Sequence, residues 1–175
     1  MSLRFVSTLL LAFAASWALG DDSLNAQTIE LLEVGRVMKN TIALFDTVND
    51  PSWKCLYGTR PVYRPEQRLV VFVYHFPNMN TSGKEVSIPY CLNLTATDSG
   101  YFSFSRCDDP GDQELGQMLY FDGKSCYIGW FDISGTKHCL LWLNEKYEDS
   151  VPDECVTQFD EKCGPEKYTL YDKDS

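Results

Sequence analysis

The residue types in this chain that could support chemistry are seven cysteines and two histidines. A zinc site of common spacing uses a Cys-x-x-Cys pair or two histidines four residues apart, and the sequence contains neither. His75 and His138 each lie at the end of an apolar stretch, where a solvated or hydrogen-bonded edge residue is the simplest interpretation. These residues therefore predict no metal site, no cofactor and no catalytic group.

Two polar segments resemble ligand-binding motifs but lack their defining residues. "DGKS" at 122–125 resembles the end of a phosphate-binding loop, yet Met118 stands where that motif needs its first glycine. "DDPGD" at 108–112 lacks the spacing and the glutamate of a calcium-binding EF-hand loop. We interpret both as turns, and we predict a binding protein and not an enzyme.

Residues 1–20 predict a secretory signal peptide. Arg4 precedes an apolar run over 5–17, and Ala18-Leu19-Gly20 supplies small residues at the two positions that signal peptidase recognises. The run is shorter than the ~20 apolar residues that a membrane span needs, which disfavours the alternative of a membrane anchor. We therefore expect a secreted, extracellular protein whose single mature domain covers residues 21–175.

The cysteines, the sequons and the charge fit that compartment. Most cysteines should form disulfides under oxidising conditions, and because seven is odd, one thiol stays unpaired or links two molecules. Asn80 and Asn93 begin N-glycosylation sequons, which predict surface positions. The net charge of −10 disfavours nucleic acid and anionic membranes as partners, since both select basic surfaces.

The elements that must position these residues are mostly β-strands. Residues 22–39 have apolar side chains at helical spacing, with Ser23 as a candidate N-cap. Stretches rich in branched and aromatic residues follow at 41–48, 54–63, 68–76, 84–96, 101–107, 116–123, 126–133 and 138–143. Turn residues separate them, including Asp109-Pro110-Gly111. About eight strands at regular spacing predict a sandwich or an up-and-down barrel.

A short helix is predicted after the last of these strands. Pro152 suits a helix start and Gly164-Pro165 suits its end. Cys155, Phe159 and Cys163 fall on one face of that helix. Two cysteines therefore attach this helix to another part of the molecule, for which a small barrel is a plausible partner.

The direction of the side chains can be predicted in one region. If Asn93 carries a glycan, the alternation of a strand sends Cys91 and Thr95 outward with it. The side chains predicted to face inward, with two tryptophans as further lining, are Ile88, Tyr90, Leu92, Leu94, Phe102, Phe104, Trp130 and Trp142. This apolar interior suits either a packed core or a cavity for one small apolar ligand, and the sequence leaves both open.

Several short motifs resemble those of the tick salivary lipocalins. They are "PSWKC" at 51–55, "CLLWL" at 139–143, "VPDEC" at 151–155 and "FDEKCG" at 159–164, and the most specific region is 126–164. Chain length, sequons and N-terminus are most similar to the Japanin-like branch. The resemblance implies an eight-stranded antiparallel lipocalin-like barrel with an N-terminal helix and with the C-terminal helix packed outside.

The resemblance also implies disulfides. One bridge would join Cys126 to Cys155, and a second would join Cys55 to the C-terminal segment, most simply to Cys163.

The resemblance leaves the pairing of the other three cysteines unassigned. Cys91 and Cys107 lie symmetrically about Ser99, so a hairpin can place them opposite each other on the outer face. We therefore expect these two to pair and Cys139 to be the unpaired cysteine.

The function implied by the resemblance is modulation of the host's dendritic cells, with a host immune-cell receptor as a partner and a sterol such as cholesterol as ligand. Amine-scavenging members carry acidic residues where this chain has Tyr127 and Leu140. A buried cation without a carboxylate costs several kcal/mol, so binding of biogenic amines is disfavoured. The alternatives are a scavenger of a lipid mediator or fatty acid, or a protein-binding module with a filled core that acts through its glycosylated surface.

Overall fold

A closed antiparallel barrel forms the centre of the structure, a computed structural model that describes residues 30–94 and 101–173. Its strands within these ranges are β1 (Asn40–Asp46), β2 (Tyr57–Arg64), β3 (Leu69–Phe76), β4 (Val86–Asn93), β5 (Tyr101–Arg106), β6 (Asp109–Phe121), β7 (Cys126–Ile133) and β8 (Thr136–Asn144). Each strand pairs with the next along the chain. The sheet closes because β1 pairs with both β2 and β8, which confirms the predicted barrel and excludes the sandwich.

Helices lie at both ends of the described chain. Residues 30–37 form helix α1, and helix α2 spans Asp153–Cys163. The sequence predicts Pro152 as the first helical residue, but it occupies the N-cap position of α2, one residue earlier. Gly164 ends the helix with a φ of 95°, as predicted. The predicted signal peptide, Ser23 and the first part of the predicted N-terminal helix lie outside the described residues.

The predicted turn at Asp109-Pro110-Gly111 is wrong. The chain reverses at residues 107–108, and Asp109 already pairs with Arg106 at the start of β6. The register between β5 and β6 then shifts, because Ser105 pairs next with Gln113. Pro110 and Gly111 therefore lie in a bulge, where the missing N–H of proline interrupts no ladder hydrogen bond.

Two apolar clusters lie on opposite faces of the sheet. The inner cluster fills the barrel, and Leu31, Val34 and Met38 of the α1 region belong to it. The outer cluster lies between α2 and the outer face of β7 and β8, where Phe159 is fully buried. The rings of Phe159 and Phe45 are 5.8 Å apart. Helix α2 thus packs outside the barrel, as expected.

Three disulfides are formed, and one differs from the predicted pairing. Cys126 bonds to Cys155 and Cys91 to Cys107, as predicted. The expected bridge from Cys55 to Cys163 is wrong, because Cys163 bonds to Cys139. Cys139 is therefore not the unpaired cysteine; among the described residues the free cysteine is Cys55.

The spacing of the strands and the helix explains the observed pairing. Cys139 pairs in the sheet with Trp130, which lies four residues beyond Cys126, or about 13 Å along β7. Cys163 lies eight residues beyond Cys155, or about 12 Å along α2. A helix that runs beside these strands therefore brings both of its cysteines to their partners at once.

Candidate functional site

The barrel interior contains two adjoining cavities. The first lies towards Trp53 and Phe76, and the second lies towards α1 and Val70. The side chains that line both are Tyr74, Leu92, Phe102, Phe131 and Trp142. These five side chains, which we call the partition, separate the two cavities.

Both cavities are small in this conformation. The centre of a water molecule has about 20 Å³ available in the first cavity and about 30 Å³ in the second. The first volume holds one or two water molecules and the second two or three, since one water needs roughly 10–15 Å³ on this measure. Pockets for drug-sized ligands have volumes of roughly 300–1,000 Å³. Aromatic rings therefore fill most of the interior, and a large ligand must displace some of them.

The predicted lining residues divide into three groups. Those that line a cavity are Tyr90, Leu92, Phe102, Phe104 and Trp142. Ile88 and Leu94 pack in the inner cluster without lining either cavity. Trp130 is placed on the outer face, so the prediction that it lines the interior is wrong.

The position of Trp130 follows from the alternation of β7. Its indole Nε1 donates a hydrogen bond to Gln117 Oε1 at 2.7 Å, and the Lys137 ammonium lies 4.2 Å from the ring centre. Trp130 is four residues from Cys126, which faces α2 outside the barrel. An even separation puts both side chains on the same face of a strand, so the predicted Cys126–Cys155 bridge contained the signal that Trp130 points outward.

Sequence reasoning missed several lining residues, among them Trp53 and Tyr74. The ring of Tyr74 stacks on Trp142 with centroids 4.9 Å apart, and burial raises the pKa of its phenol. Trp53 lies on a 3₁₀ turn, Pro51–Trp53, between β1 and β2. Trp53 belongs to "PSWKC", but nothing in that motif indicates that the side chain turns into the barrel.

A buried polar pair lies next to Trp53. The imidazole of His138 stacks flat on the Trp53 ring, with centroids 4.0 Å apart. His138 Nδ1 donates to Asp46 Oδ2 at 2.7 Å. Asp46 is fully buried, and its Oδ1 has no hydrogen-bond partner among the described residues. His138 is hydrogen-bonded, as expected, but it is buried against Trp53 and not solvated at an edge.

Two further polar atoms are buried inside the barrel. Tyr127 and Trp142 lie directly opposite each other on β7 and β8, and both line the second cavity. The Tyr127 hydroxyl and the Trp142 Nε1 have no hydrogen-bond partner within the described part of the chain. Burial raises the pKa of Tyr127, so the phenol keeps its proton at physiological pH.

The described residues that line the two cavities carry no charged side chain. Tyr127 lines the second cavity and Leu140 the first, so the two positions where amine-scavenging relatives carry acids do face the interior. Glu114 lies at the barrel wall opposite Phe104 in the β5–β6 pairing. Burial raises the pKa of Glu114, and burial together with the Glu114 charge raises the pKa of Tyr90 to about 12.

The described residues that come closest to a metal-binding group serve the fold. Asp122 lies close to Cys126 and Cys155, but the two sulfurs bond to each other. The Asp122 Oδ1 accepts hydrogen bonds from the backbone N–H groups of Lys124, Ser125 and Cys126. This carboxylate therefore organises the β6–β7 turn.

The sequons have the exposure that glycosylation requires. Asn80 is exposed between β3 and β4, and Asn93 is exposed at the end of β4. Cys91 is half-buried and alternates with buried Tyr90 and Leu92, as the predicted strand phase requires. Thr95, the last residue of the second sequon, lies outside the described residues. Glycosylation itself stays a prediction.

Comparison with known proteins agrees with this architecture. A family model described as "Tick histamine binding protein" matches residues 36–175. A search of curated proteins finds no match. No helix in the described residues is long and apolar enough to cross a membrane.

Solved structures of low sequence identity share the fold. AM182 in complex with serotonin is 12% identical, with a TM-score of 0.60 over 82% of this chain and 90% of that chain. Japanin from Rhipicephalus appendiculatus bound to cholesterol is 11% identical, with a TM-score of 0.56 over 79% and 95%. Lobster apocrustacyanin A1 is 10% identical, with a TM-score of 0.56 over 84% of each chain.

Proposed function

The chain belongs to the tick histamine-binding protein family, and from that premise we propose that it is a secreted carrier of one small apolar ligand held inside the barrel. The observation that carries the proposal is the lining of the two cavities, which is aromatic and aliphatic and bears no charge among the described residues. Removal of apolar surface from water is the main driving force for such a ligand, at roughly 25 cal/mol per Å².

An ammonium ligand fits this interior poorly. Tyr127 and Leu140 offer no negative charge at the two positions where amine-scavenging relatives have one. Asp46 is buried against His138, and Glu114 does not line either cavity. A cation moved into the barrel would lose its hydration without gaining a carboxylate, which costs several kcal/mol.

The size of the ligand depends on the partition. If Phe102 and Phe131 rotate aside, the two cavities join into one elongated space that runs from Trp53 to α1. A sterol such as cholesterol, a fatty acid or a lipid mediator suits a space of that shape. The serotonin and cholesterol found in the structurally similar proteins support a small-molecule ligand but do not identify it.

Binding can be tested with a matched pair of variants. Leu92→Arg places a charge in the partition, whereas Leu115→Arg makes the same change on an exposed side chain of β6. We expect the native protein and Leu115→Arg to retain a lipid in native mass spectrometry after exposure to a lipid extract. Leu92→Arg should lose it while its disulfides and circular dichroism stay unchanged.

Two results would contradict the proposal. One is tight binding of histamine or serotonin by the native protein in calorimetry, together with no lipid retained. The other is equal lipid retention by Leu92→Arg and Leu115→Arg, because the ligand would then lie outside the barrel.

The small cavity volumes favour a second candidate, a protein-binding module whose core is filled by its own side chains. Such a module would act through its outer surface, which carries the two sequons at Asn80 and Asn93. In that case Leu92→Arg, if folded, would keep its biological activity. Activity lost in Leu92→Arg but kept in Leu115→Arg would instead link activity to the barrel interior.

For the biological role, we propose modulation of the host immune response at a feeding site, through dendritic cells. The predicted signal peptide, the exposed sequons and the three disulfides support an extracellular protein. The dendritic-cell role rests on the resemblance to the Japanin-like branch alone. Recombinant protein applied to human monocyte-derived dendritic cells should reduce maturation markers relative to a denatured control, and unchanged maturation would refute this role while leaving a lipid carrier possible.

A further inference from the structure

We propose that the ligand carries a single neutral oxygen, a hydroxyl or a carbonyl, that accepts hydrogen bonds from the Tyr127 hydroxyl and the Trp142 indole N–H. This inference rests on the proposed function, because it describes the polar end of the ligand in the same barrel. The apolar body of the ligand would extend from the second cavity past the partition into the first.

Two buried donors line the second cavity without a partner among the described residues. Tyr127 and Trp142 are cross-strand partners on β7 and β8, whose side chains on one face lie close to each other. Their exposed fractions are 7% and 4%. Neither the hydroxyl nor the Nε1 atom has a partner among the described residues. Proteins rarely leave buried polar groups unpaired, so two such groups on neighbouring strands indicate that another molecule supplies the acceptor.

The chemistry of the donors disfavours a cationic end. The indole N–H can only donate a hydrogen bond, so it repels an ammonium group, which also only donates. The phenol can accept one hydrogen bond, but burial opposes the loss of its proton and therefore any negative charge on it. The Tyr127–Trp142 pair thus suits an acceptor.

The absence of positive charge disfavours an anionic end. The described residues around the second cavity include no lysine, arginine or histidine. A carboxylate held there by two neutral donors would remain a largely uncompensated buried charge. A hydroxyl or carbonyl oxygen satisfies the donors without that penalty, so we expect a sterol or a long-chain alcohol to bind better than an ionised fatty acid.

The Tyr127 hydroxyl lies over Gly129 of β7. A Cβ added to Gly129 would lie 2.3 Å from the Tyr127 hydroxyl oxygen. Real side chains do not approach so closely, so the glycine provides the space that the phenol occupies. The hydroxyl therefore lies against the β7 backbone within the barrel, in space that is available because residue 129 is a glycine.

The test is a competition between ligands that differ only in the oxygen. Native protein is incubated with equimolar cholesterol and cholest-5-ene, and separately with 1-hexadecanol and hexadecane, and native mass spectrometry gives the occupancy ratio. We expect the occupancy of the oxygen-bearing member to exceed that of the hydrocarbon roughly tenfold or more. The hydrocarbon would leave two buried donors without an acceptor, and each buried hydrogen bond typically changes binding by about this factor. Tyr127→Phe and Trp142→Phe should each reduce the preference several-fold.

Matched controls distinguish this effect from general disruption. Tyr120→Phe and Trp130→Phe make the same changes on side chains that pack in the outer cluster, and both should keep the native preference. Tyr127→Phe should also leave the stability of the ligand-free protein unchanged or higher, because it removes an unpaired buried hydroxyl. A clear loss of stability would reveal a structural partner for that hydroxyl and overturn the inference.

The outcomes separate the inference from the proposed function. If hydrocarbon and alcohol bind equally, a ligand occupies the barrel but water satisfies the donors. The inference then fails while the proposed function stands. If neither member of either pair binds, the proposed function fails together with the inference. A stronger preference for palmitate than for hexadecanol would show an anionic site and would also overturn it.

Discussion

Replacement of His138 by phenylalanine should destabilise the protein more than any other substitution of one ring by another in the barrel. The change retains a flat ring that can stack on Trp53, as the imidazole does at 4.0 Å. It removes the Nδ1 donor that lies 2.7 Å from Asp46 Oδ2. Asp46 is fully buried, and its other oxygen already lacks a partner among the described residues.

The magnitude follows from that burial. His138 supplies the hydrogen-bond donor to a buried carboxylate, and leaving a buried acceptor without its partner costs about 1–3 kcal/mol, and more when that acceptor is charged. We therefore expect His138→Phe to lower the free energy of unfolding by about 3 kcal/mol or more at neutral pH. With a slope of roughly 2 kcal/mol per M urea, the unfolding midpoint should fall by about 1.5 M or more.

A double-mutant cycle provides the control. Asp46→Leu combined with His138→Phe removes both polar groups, and replacing a buried pair with apolar residues is often neutral or stabilising. We expect the double variant to recover most of the stability lost by His138→Phe, when urea unfolding is followed with disulfides intact. A loss below about 1 kcal/mol in the single variant, or no recovery in the double variant, would refute the reasoning that Asp46 depends on His138.

Three further predictions concern the disulfides, the titration of the cavity and its packing. Alkylation of the unfolded, unreduced protein should label Cys55 alone, and label on Cys139 would contradict the observed pairing. Burial raises the pKa of Tyr90 to about 12, so the contribution of the Tyr90 phenol to stability should be intact below pH 10 and decline as the pH rises towards 12. Urea unfolding at each pH should show a smaller decline for Tyr90→Phe. Gly116→Ala should cost about 1–3 kcal/mol by overpacking, since its Cβ would lie 2.6 Å from the Phe102 ring; an unchanged thermal midpoint would show that the ring yields freely.

Much of the barrel could be predicted because strands have a local signature. The predicted segment 126–133 coincides with β7. The argument that a glycan on Asn93 must point outward also assigned the correct faces to the side chains of β4, where Asn93 is exposed and Leu92 is buried. The same alternation placed Phe102 and Phe104 inside. These successes rest on a period of two that the chain carries within each strand, whatever the other strands do.

The candidate site was predicted only in part, because a cavity is built from distant segments. Trp53 comes from a turn and Tyr74 from a strand whose phase the sequence did not reveal. Leu31 and Val34 come from α1, which packs against the barrel interior. No local pattern in any of these segments indicates the others, so their meeting could not be inferred from periodicity.

The sequence by itself determined that side chains alternate between the two faces of each strand and that α2 presents Cys155, Phe159 and Cys163 on one face. It also determined that the positions of Tyr127 and Leu140 carry no charge. These are properties of neighbouring residues, set by backbone geometry and residue type. Only the tertiary structure decided which cysteine meets Cys163, since that depends on where α2 crosses β7 and β8. It likewise decided that two buried donors without a partner among the described residues come to one cavity, because register between strands, and not spacing along the chain, brings Tyr127 opposite Trp142.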